Sequence, residues 1–215
     1  SRNLCQYGLE TYPGCAWRHD FQKVLIKTHL AENDYEQASS IATGLIEKSS
    51  ERSAFVKTMT DLGHIYRDGR QWDQSIQYYQ QALEKAELPE EQLDAYAGIA
   101  KSRIRLAADS VTPEEYSEIN AIVKVILSTF KDCKNAGLLG IQIGEEYYYL
   151  GRESLETGME KEAKNNFNLA IPIWEQVIYS DVSSEIRSEC YYLIGSCYLK
   201  SGDYADAETA FQRSY

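Results

Sequence analysis

The residues of this chain that could take part in chemistry are few and far apart. Three histidines, His19, His29 and His64, fall in different stretches of helical periodicity, and no serine or cysteine motif accompanies them. A catalytic nucleophile needs a base within hydrogen-bonding reach. The five cysteines form no CxxC pair and no cysteine–histidine cluster with zinc spacing. The sequence therefore predicts a protein that is not an enzyme and that has no metal site and no cofactor.

Neighbouring carboxylates and clustered glycines are the remaining candidates for chemistry. Glu114–Glu115 and Glu145–Glu146 are adjacent in sequence, and adjacent helical residues point about 100° apart. Neither pair is therefore expected to converge on one substrate. Glycines at positions 137, 140 and 144 recur at helical spacing but lack the lysine and the Ser/Thr of a phosphate-binding loop. Both features are typical of solvated or packed helix faces.

The charge balance and the cysteine count indicate which partners and compartments to expect. The chain has 33 acidic and 22 basic side chains, a net charge of −11, which repels nucleic-acid phosphates and anionic lipid surfaces. No apolar run reaches the roughly 18 residues of a membrane span. We therefore expect neither nucleic acid nor a membrane as a partner. The odd number of cysteines favours a reducing compartment, the cytoplasm, while a single bridge such as Cys5–Cys15 stays open.

A repeated pattern of small and large residues runs through the chain. The clearest copy reads Tyr191-x2-Ile194-Gly195-x2-Tyr198, then Gly202, Tyr204 and Ala207-x3-Phe211-x2-Ser214. A second reads Met59-x2-Leu62-Gly63-x2-Tyr66, then Trp72 and Ser75-x3-Tyr79-x2-Ala82, with the same twelve-residue step from glycine to the later small residue. Antiparallel helices approach closely where both offer small residues. The pattern resembles the tetratricopeptide repeat.

Weaker copies fill the rest of the chain. Ile26 stands where glycine is usual, twelve residues before Ala38, so this first pair is expected to pack less closely. Ala100 opens the third pair, whose second helix is predicted to begin at the capping residue Thr112. Its small residue, Ala121, falls nine residues late. These departures predict lengthened helices or turns.

The fourth pair shows a similar departure. Gly144 is predicted to be its small residue, which places Ala163 seven residues, about two helical turns, later than the strict repeat. Pro172 is expected to kink or end the second helix, because proline lacks a backbone donor.

The pattern sets the domain organisation. Residues 16–215 are predicted to form the repeat domain, residues 1–15 are the tail of a preceding repeat, and the chain is expected to be a piece of a longer array. Ten helices are predicted near residues 18–32, 35–48, 53–69, 72–87, 90–108, 113–130, 135–157, 159–178, 184–201 and 204–215. An array cut between repeats exposes an apolar face, so Ala210, Phe211 and Tyr215 are expected to lie exposed and to permit self-association.

The resemblance implies an all-α, right-handed superhelical solenoid of about five antiparallel helix pairs, with the first helices lining a concave groove for peptides or proteins. The predicted groove residues are Lys23, Lys27, Lys57, His64, Arg67, Lys101, Arg105, Tyr148, Tyr149 and Tyr192. The six cations suggest a basic channel for an extended acidic segment, and the tyrosines suggest an aromatic zone for its apolar side chains. The competing interpretation is a solvated basic face and tyrosines packed between helices.

The resemblance therefore favours a scaffold that binds a protein or peptide partner. The alternative is a regulatory or sensor arm of a larger signalling, transcriptional or enzyme chain. Family membership by itself does not name the ligand.

Overall fold

Helices account for all the regular structure in the described part of the chain. The computed structural model describes residues 2–12, 14, 16–108 and 111–215, and no strand occurs within these ranges. The helices are α1 (Arg2–Thr11), α2 (Arg18–Ala31), α3 (Tyr35–Ile46), α4 (Arg52–Asp68), α5 (Trp72–Lys85), α6 (Pro89–Leu106), α7 (Pro113–Thr129), α8 (Ala136–Glu156), α9 (Glu160–Ile178), α10 (Ser184–Ser201) and α11 (Tyr204–Arg213). The ten predicted helices are confirmed, with ends that agree within about two residues. The all-α fold class is confirmed with them.

The chain divides into two compact units, Ser1–Ser102 (unit 1) and Arg103–Tyr215 (unit 2), and the division falls inside α6. In unit 1, α1 packs on α2, α2 pairs with α3, and α4 pairs with α5. In unit 2, α7 packs on α8 and α9, α8 pairs with α9, and α10 pairs with α11. Turns of two or three residues join the helices of each pair, so the partners run antiparallel.

Several helix ends follow directly from local sequence. Thr112 begins α7 with a capping box, in which its hydroxyl accepts from the Glu115 amide and the Glu115 carboxylate accepts from the Thr112 amide. Gly202 ends α10 in the left-handed region, at φ 79°. At the end of α4, Gly69 has a φ of −80° and Arg70 takes the left-handed conformation instead. The predicted ends of the helices near residues 53–69 and 184–201 are therefore confirmed.

Close contact between glycine and an aromatic ring holds the second pair together. The fully buried Tyr79 ring packs against Gly63 and Gly98, where added Cβ atoms would lie 2.6 Å and 2.4 Å from the ring. In the first pair the sizes are exchanged. Ile26 stands at the glycine position and Ala42 at the aromatic position, and both are fully buried in one core cluster. A larger side chain on α2 and a smaller one on α3 thus fill the space that glycine and an aromatic ring fill in the second pair.

Two expectations need correction. Helix α9 does not end at Pro172 but continues to Ile178, because the buried side chains around the proline, Ile171, Ile173 and Trp174, hold the helix against its neighbours. The kink expected at Pro172 stays a prediction. Ala210 is buried rather than exposed, because it lies on the side of α11 that packs against α10. Phe211 is half-buried and Tyr215 is exposed.

The assignment of residues 1–15 to a preceding repeat stays a prediction. Helix α1 packs on α2, where Gly8 lies against the Phe21 ring. The suggested Cys5–Cys15 bridge involves Cys15, which lies outside the described residues.

Candidate functional site

Unit 1 places five of the six predicted cations on α2, α4 and α6: Lys23, Lys27, Lys57, Arg67 and Lys101. Carboxylates of α4 meet the two lysines of α2. The Lys23 Nζ lies 2.5 Å from the Asp61 Oδ2, and the Lys27 Nζ lies 3.5 Å from the Asp68 Oδ2. The Arg67 Nη2 is also 3.8 Å from the Asp68 Oδ1. These pairs connect adjacent first helices of unit 1.

The same carboxylates reduce the positive charge expected along this face. A groove of about 300 Å³ between α2 and α4 is lined by groups of both signs, including Lys23, Asp61 and His64. Asp61 was not among the residues predicted to line the groove. Lys57 lies exposed on α4. Unit 1 therefore presents a mixed-charge surface.

His64 joins this surface to the core. Its Nδ1 lies 2.7 Å from the Tyr79 hydroxyl, and the two rings meet edge to face at 5.4 Å. Burial lowers the pKa of His64 below its ordinary 6.5, and Arg67 and Lys101 lower it further against the opposing effects of Asp94 and Asp61. In its neutral form, His64 accepts a hydrogen bond from the Tyr79 hydroxyl at Nδ1.

His29 has a structural role in the first pair. The His29 side chain is buried at the repeat position that Tyr66 occupies in the second pair. Its Nδ1 lies 2.9 Å from the Asp34 Oδ2. Asp34 caps α3 by accepting from the Gln37 amide. The pair thus stabilises the turn between α2 and α3.

The sixth cation, Arg105, lies in unit 2 and is held by two carboxylates of α8. Its Nε is 2.7 Å from the Glu146 Oε2, and its Nη1 is 3.0 Å from the Glu153 Oε1. Its side chain is only 18% exposed. Arg105 therefore has a structural role, and its place in a binding channel stays a prediction.

The register of the fourth pair differs from the predicted one. Gly151, two turns after Gly144, packs against the Phe167 ring, sixteen residues further along the chain. The same sixteen-residue contact joins Gly63 to Tyr79 and Gly195 to Phe211. Gly151 is therefore the repeat's small residue, and Ala163 follows it at the regular twelve-residue step. Counting back from Phe167 would have found this register in the sequence.

The apparent insertion of seven residues lies at the other end of the pair. Gly144 packs against Trp174 and Gly140 against Val177, so α8 and α9 are both lengthened away from their connecting turn. The predicted lengthening of helices is confirmed, with the turn itself left short.

In the corrected register, Tyr148 and Tyr192 occupy equivalent positions, three residues before Gly151 and Gly195. The Tyr148 and Phe167 ring centroids are 5.7 Å apart with planes at 46°, and the Tyr192 and Phe211 centroids are 5.8 Å apart at 51°. Two neighbouring repeats thus present the same tyrosine on the same aromatic support.

Three predicted tyrosines lie on α8 and α10, two helices that pack together. We call Tyr148, Tyr149 and Tyr192 the tyrosine face. Tyr149 is 41% exposed and Tyr192 is 58% exposed. Burial raises the pKa of Tyr148, with smaller contributions from Cys197, Tyr192 and Tyr149. The Tyr148 and Tyr149 centroids are 6.0 Å apart, and Tyr192 of α10 lies near enough to Tyr148 to affect its pKa.

Among the described residues, no three His, Cys, Asp or Glu side chains lie together in a way that could hold a metal ion. In the same ranges, the helices lack the length and apolar character needed to cross a membrane.

Two repeats match known family models. Residues 58–93 and residues 188–215 each match a model described as a tetratricopeptide repeat, and both segments contain the glycine–aromatic contact described above. The chain therefore contains tetratricopeptide repeats in these two segments. Proteins built from this repeat are typically non-enzymatic scaffolds for protein interactions.

The chain is also similar to several solved structures. The chain is similar to BtubC (BKLC) from P. vanneervenii, with 16% identity, 100% of this chain and 85% of that chain covered, and a TM-score of 0.53. It also resembles MamA, at 16% identity with 87% and 90% covered and a TM-score of 0.40. A third similar structure contains the TPR-like repeats of a Podosopora anserina kinesin light chain, at 13% identity, 94% and 95% covered and a TM-score of 0.46. At these identities the likeness concerns the fold alone, and only the first of the three exceeds a TM-score of 0.5. Among curated proteins, no sequence matches this chain.

Proposed function

We propose that this protein is an interaction scaffold that binds an extended peptide on the exposed faces of its first helices. The observation that carries the proposal is the tyrosine face of unit 2, where Tyr149 and Tyr192 leave large parts of their rings in solvent. Exposed aromatic clusters are typical of interfaces. A sensor arm of a larger chain would bind its ligand at the same face.

The tyrosines suit this role because their positions are already determined by packing. The Phe167 and Phe211 rings lie beneath Tyr148 and Tyr192, and both phenylalanines rest on glycines. A supported ring loses little rotamer freedom when a ligand covers it. The phenol hydroxyls can meet polar groups of the ligand while the rings bury apolar area.

Unit 1 supports a second candidate ligand, the acidic extended segment predicted from the sequence. Arg67 and Lys101 lower the pKa of His64 and thus contribute a positive field there, which Asp94 and Asp61 oppose. Lys57 is exposed on α4. Asp61 and Asp68 oppose this field through their contacts with Lys23 and Lys27. The tyrosine face is therefore the better-supported site.

Selection from a displayed random-peptide library tests the proposal. The 215-residue protein serves as bait, beside a Tyr148→Ala/Tyr192→Ala variant and a Tyr204→Ala control, in which an exposed tyrosine of α11 is removed. We expect a set of peptides that bind the protein and the control but not the double variant. Removing a central aromatic anchor typically weakens binding by about 1–3 kcal/mol, mainly through faster dissociation. Peptides that bind all three proteins equally would contradict the tyrosine face as the site.

A further inference from the structure

The tyrosine face repeats one arrangement on two adjacent helices, and this repetition constrains the shape of a ligand. Helices α8 and α10 pack side by side, and packed helix axes lie about 8–10 Å apart. Tyr148 and Tyr192 stand at the same repeat position. We therefore expect the two equivalent aromatic supports to recur at about that spacing across the helices.

A polyproline II segment fits this spacing. Its rise of about 3.1 Å per residue and its three residues per turn return a side chain to the same edge every 9.3 Å or so. In a β-strand, side chains on one face recur at about 6.6 Å or 13 Å. A strand would therefore match one tyrosine and miss the other. Proline rings pack well in grooves lined by aromatic side chains.

Charge indicates which residues accompany the prolines. Unit 2, residues 103–215, has 18 acidic and 11 basic side chains, a net charge of −7. Glu145 and Glu189 again occupy equivalent positions, one helical turn before Tyr148 and Tyr192 on the same side of α8 and α10. Glu189 is exposed one turn before Tyr192, and basic side chains of a ligand would be attracted to its carboxylate.

Resting on the proposed function, we infer that the tyrosine face binds a proline-rich segment in the polyproline II conformation that carries arginine or lysine. Proline rings three residues apart cover Tyr148 and Tyr192, with Tyr149 beside them. Basic side chains between the prolines approach Glu189. The ligand class differs from the acidic segment expected for the cations of unit 1.

Three labelled peptides test the inference by fluorescence anisotropy with the full 215-residue protein. The first consists of five Pro-Pro-Arg triplets, the second replaces arginine with glutamate, and the third replaces both prolines with Gly-Ser. We expect the first to bind at least about tenfold more tightly than either of the others, since it alone combines the spacing with the charge.

Variants locate the site of binding. Tyr192→Ala should raise the Kd of the Pro-Pro-Arg peptide about tenfold, and Glu189→Lys should raise it about threefold or more. Glu208→Lys makes the same change in net charge on α11, where Glu208 is exposed, and should change the Kd less than about twofold. Circular dichroism shows whether each variant is folded. Since Glu189 is exposed, its variant carries the test if Tyr192→Ala unfolds the chain.

Equal binding of the glutamate or Gly-Ser peptide, or equal effects of Glu189→Lys and Glu208→Lys, would overturn the inference. The library selection separates this failure from a failure of the scaffold proposal. Tyrosine-dependent peptides without prolines or basic residues would refute the ligand class and leave the scaffold intact. A library without any tyrosine-dependent peptide would refute both.

Discussion

The Phe167 ring lies directly against the backbone of Gly151, where a Cβ atom would stand 2.5 Å from its Cε1 atom. Phe167 is fully buried, so the ring has no free space in which to move. This contact is one of the close approaches of α8 and α9, and the Phe167 ring also supports Tyr148 from below. Packing and binding surface are therefore connected through one glycine.

Gly151→Ala should lower the free energy of unfolding by about 1–3 kcal/mol, because overpacking outweighs the gain in helix propensity. Gly44→Ala is the matched control. Gly44 lies in the last turn of α3, and a Cβ there would meet nothing within 4 Å. The control should stabilise the protein by about 0.5–1 kcal/mol. Urea titrations measure the change in the free energy of unfolding of each variant. Changes of the same sign in both would contradict the close contact between Gly151 and Phe167.

Stability should depend on the charge of His64. Because the folded state lowers the pKa of His64 below 6.5, mainly by burial, the unfolded chain binds the proton more readily. This contribution to stability is fully present above pH 6.5 and is lost as the pH falls from there through the lower folded pKa. Urea titrations between about pH 7.5 and 5 should show the decline. His64→Gln should flatten it, whereas substitution of the exposed His19 should leave it unchanged.

Arg105 and Lys57 were both predicted to bind a ligand, and the structure distinguishes them. Arg105→Ala leaves Glu146, which is 20% exposed, without its partner, and should lower the free energy of unfolding by about 1–3 kcal/mol. Lys57→Ala removes an exposed charge and should change it by less than about 0.5 kcal/mol. Thermal unfolding followed by circular dichroism measures both. A loss for Lys57→Ala as large as that for Arg105→Ala would show that this view of the two residues is wrong.

Cys190 and Cys197 should be chemically inert while the protein is folded. Both are fully buried on α10, and burial raises the pKa of each thiol to about 12. Alkylation requires the thiolate. At pH 8 we expect iodoacetamide to modify them at least about tenfold more slowly than the half-buried Cys133, with all three reacting alike in urea. Peptide mass mapping gives the rates, and fast modification of Cys190 in the native state would contradict its burial.

Much of the fold was predictable from local sequence. The Gly63–Tyr79 and Gly195–Phe211 contacts use residues only sixteen positions apart, and the capping box at Thr112 uses adjacent residues. Helical periodicity, caps and small residues at regular steps are all properties of short segments. They are present in the sequence without knowledge of the chain's other parts.

The register of α8 shows where local pattern is ambiguous. Gly144 and Gly151 are two turns apart, so they lie on nearly the same side of the helix, and either fits a repeat read from α8 alone. The choice depends on which side chain of α9 meets each glycine. Phe167 meets Gly151 and Trp174 meets Gly144. The prediction that Tyr148 lines the binding surface therefore rested on an incorrect register, in which Gly144 was taken as the repeat's small residue instead of Gly151.

The sequence by itself determined the helices, their pairing and the presence of tyrosines and cations on the first helices, because periodicity and turn chemistry act over a few residues. Only the tertiary structure decided which of those side chains have partners. Asp61 meets Lys23 across 38 positions and Glu146 meets Arg105 across 41. Such pairs form between helices whose mutual rotation depends on packing along their whole length, and a few degrees of rotation decide whether a charge meets a carboxylate or remains in solvent.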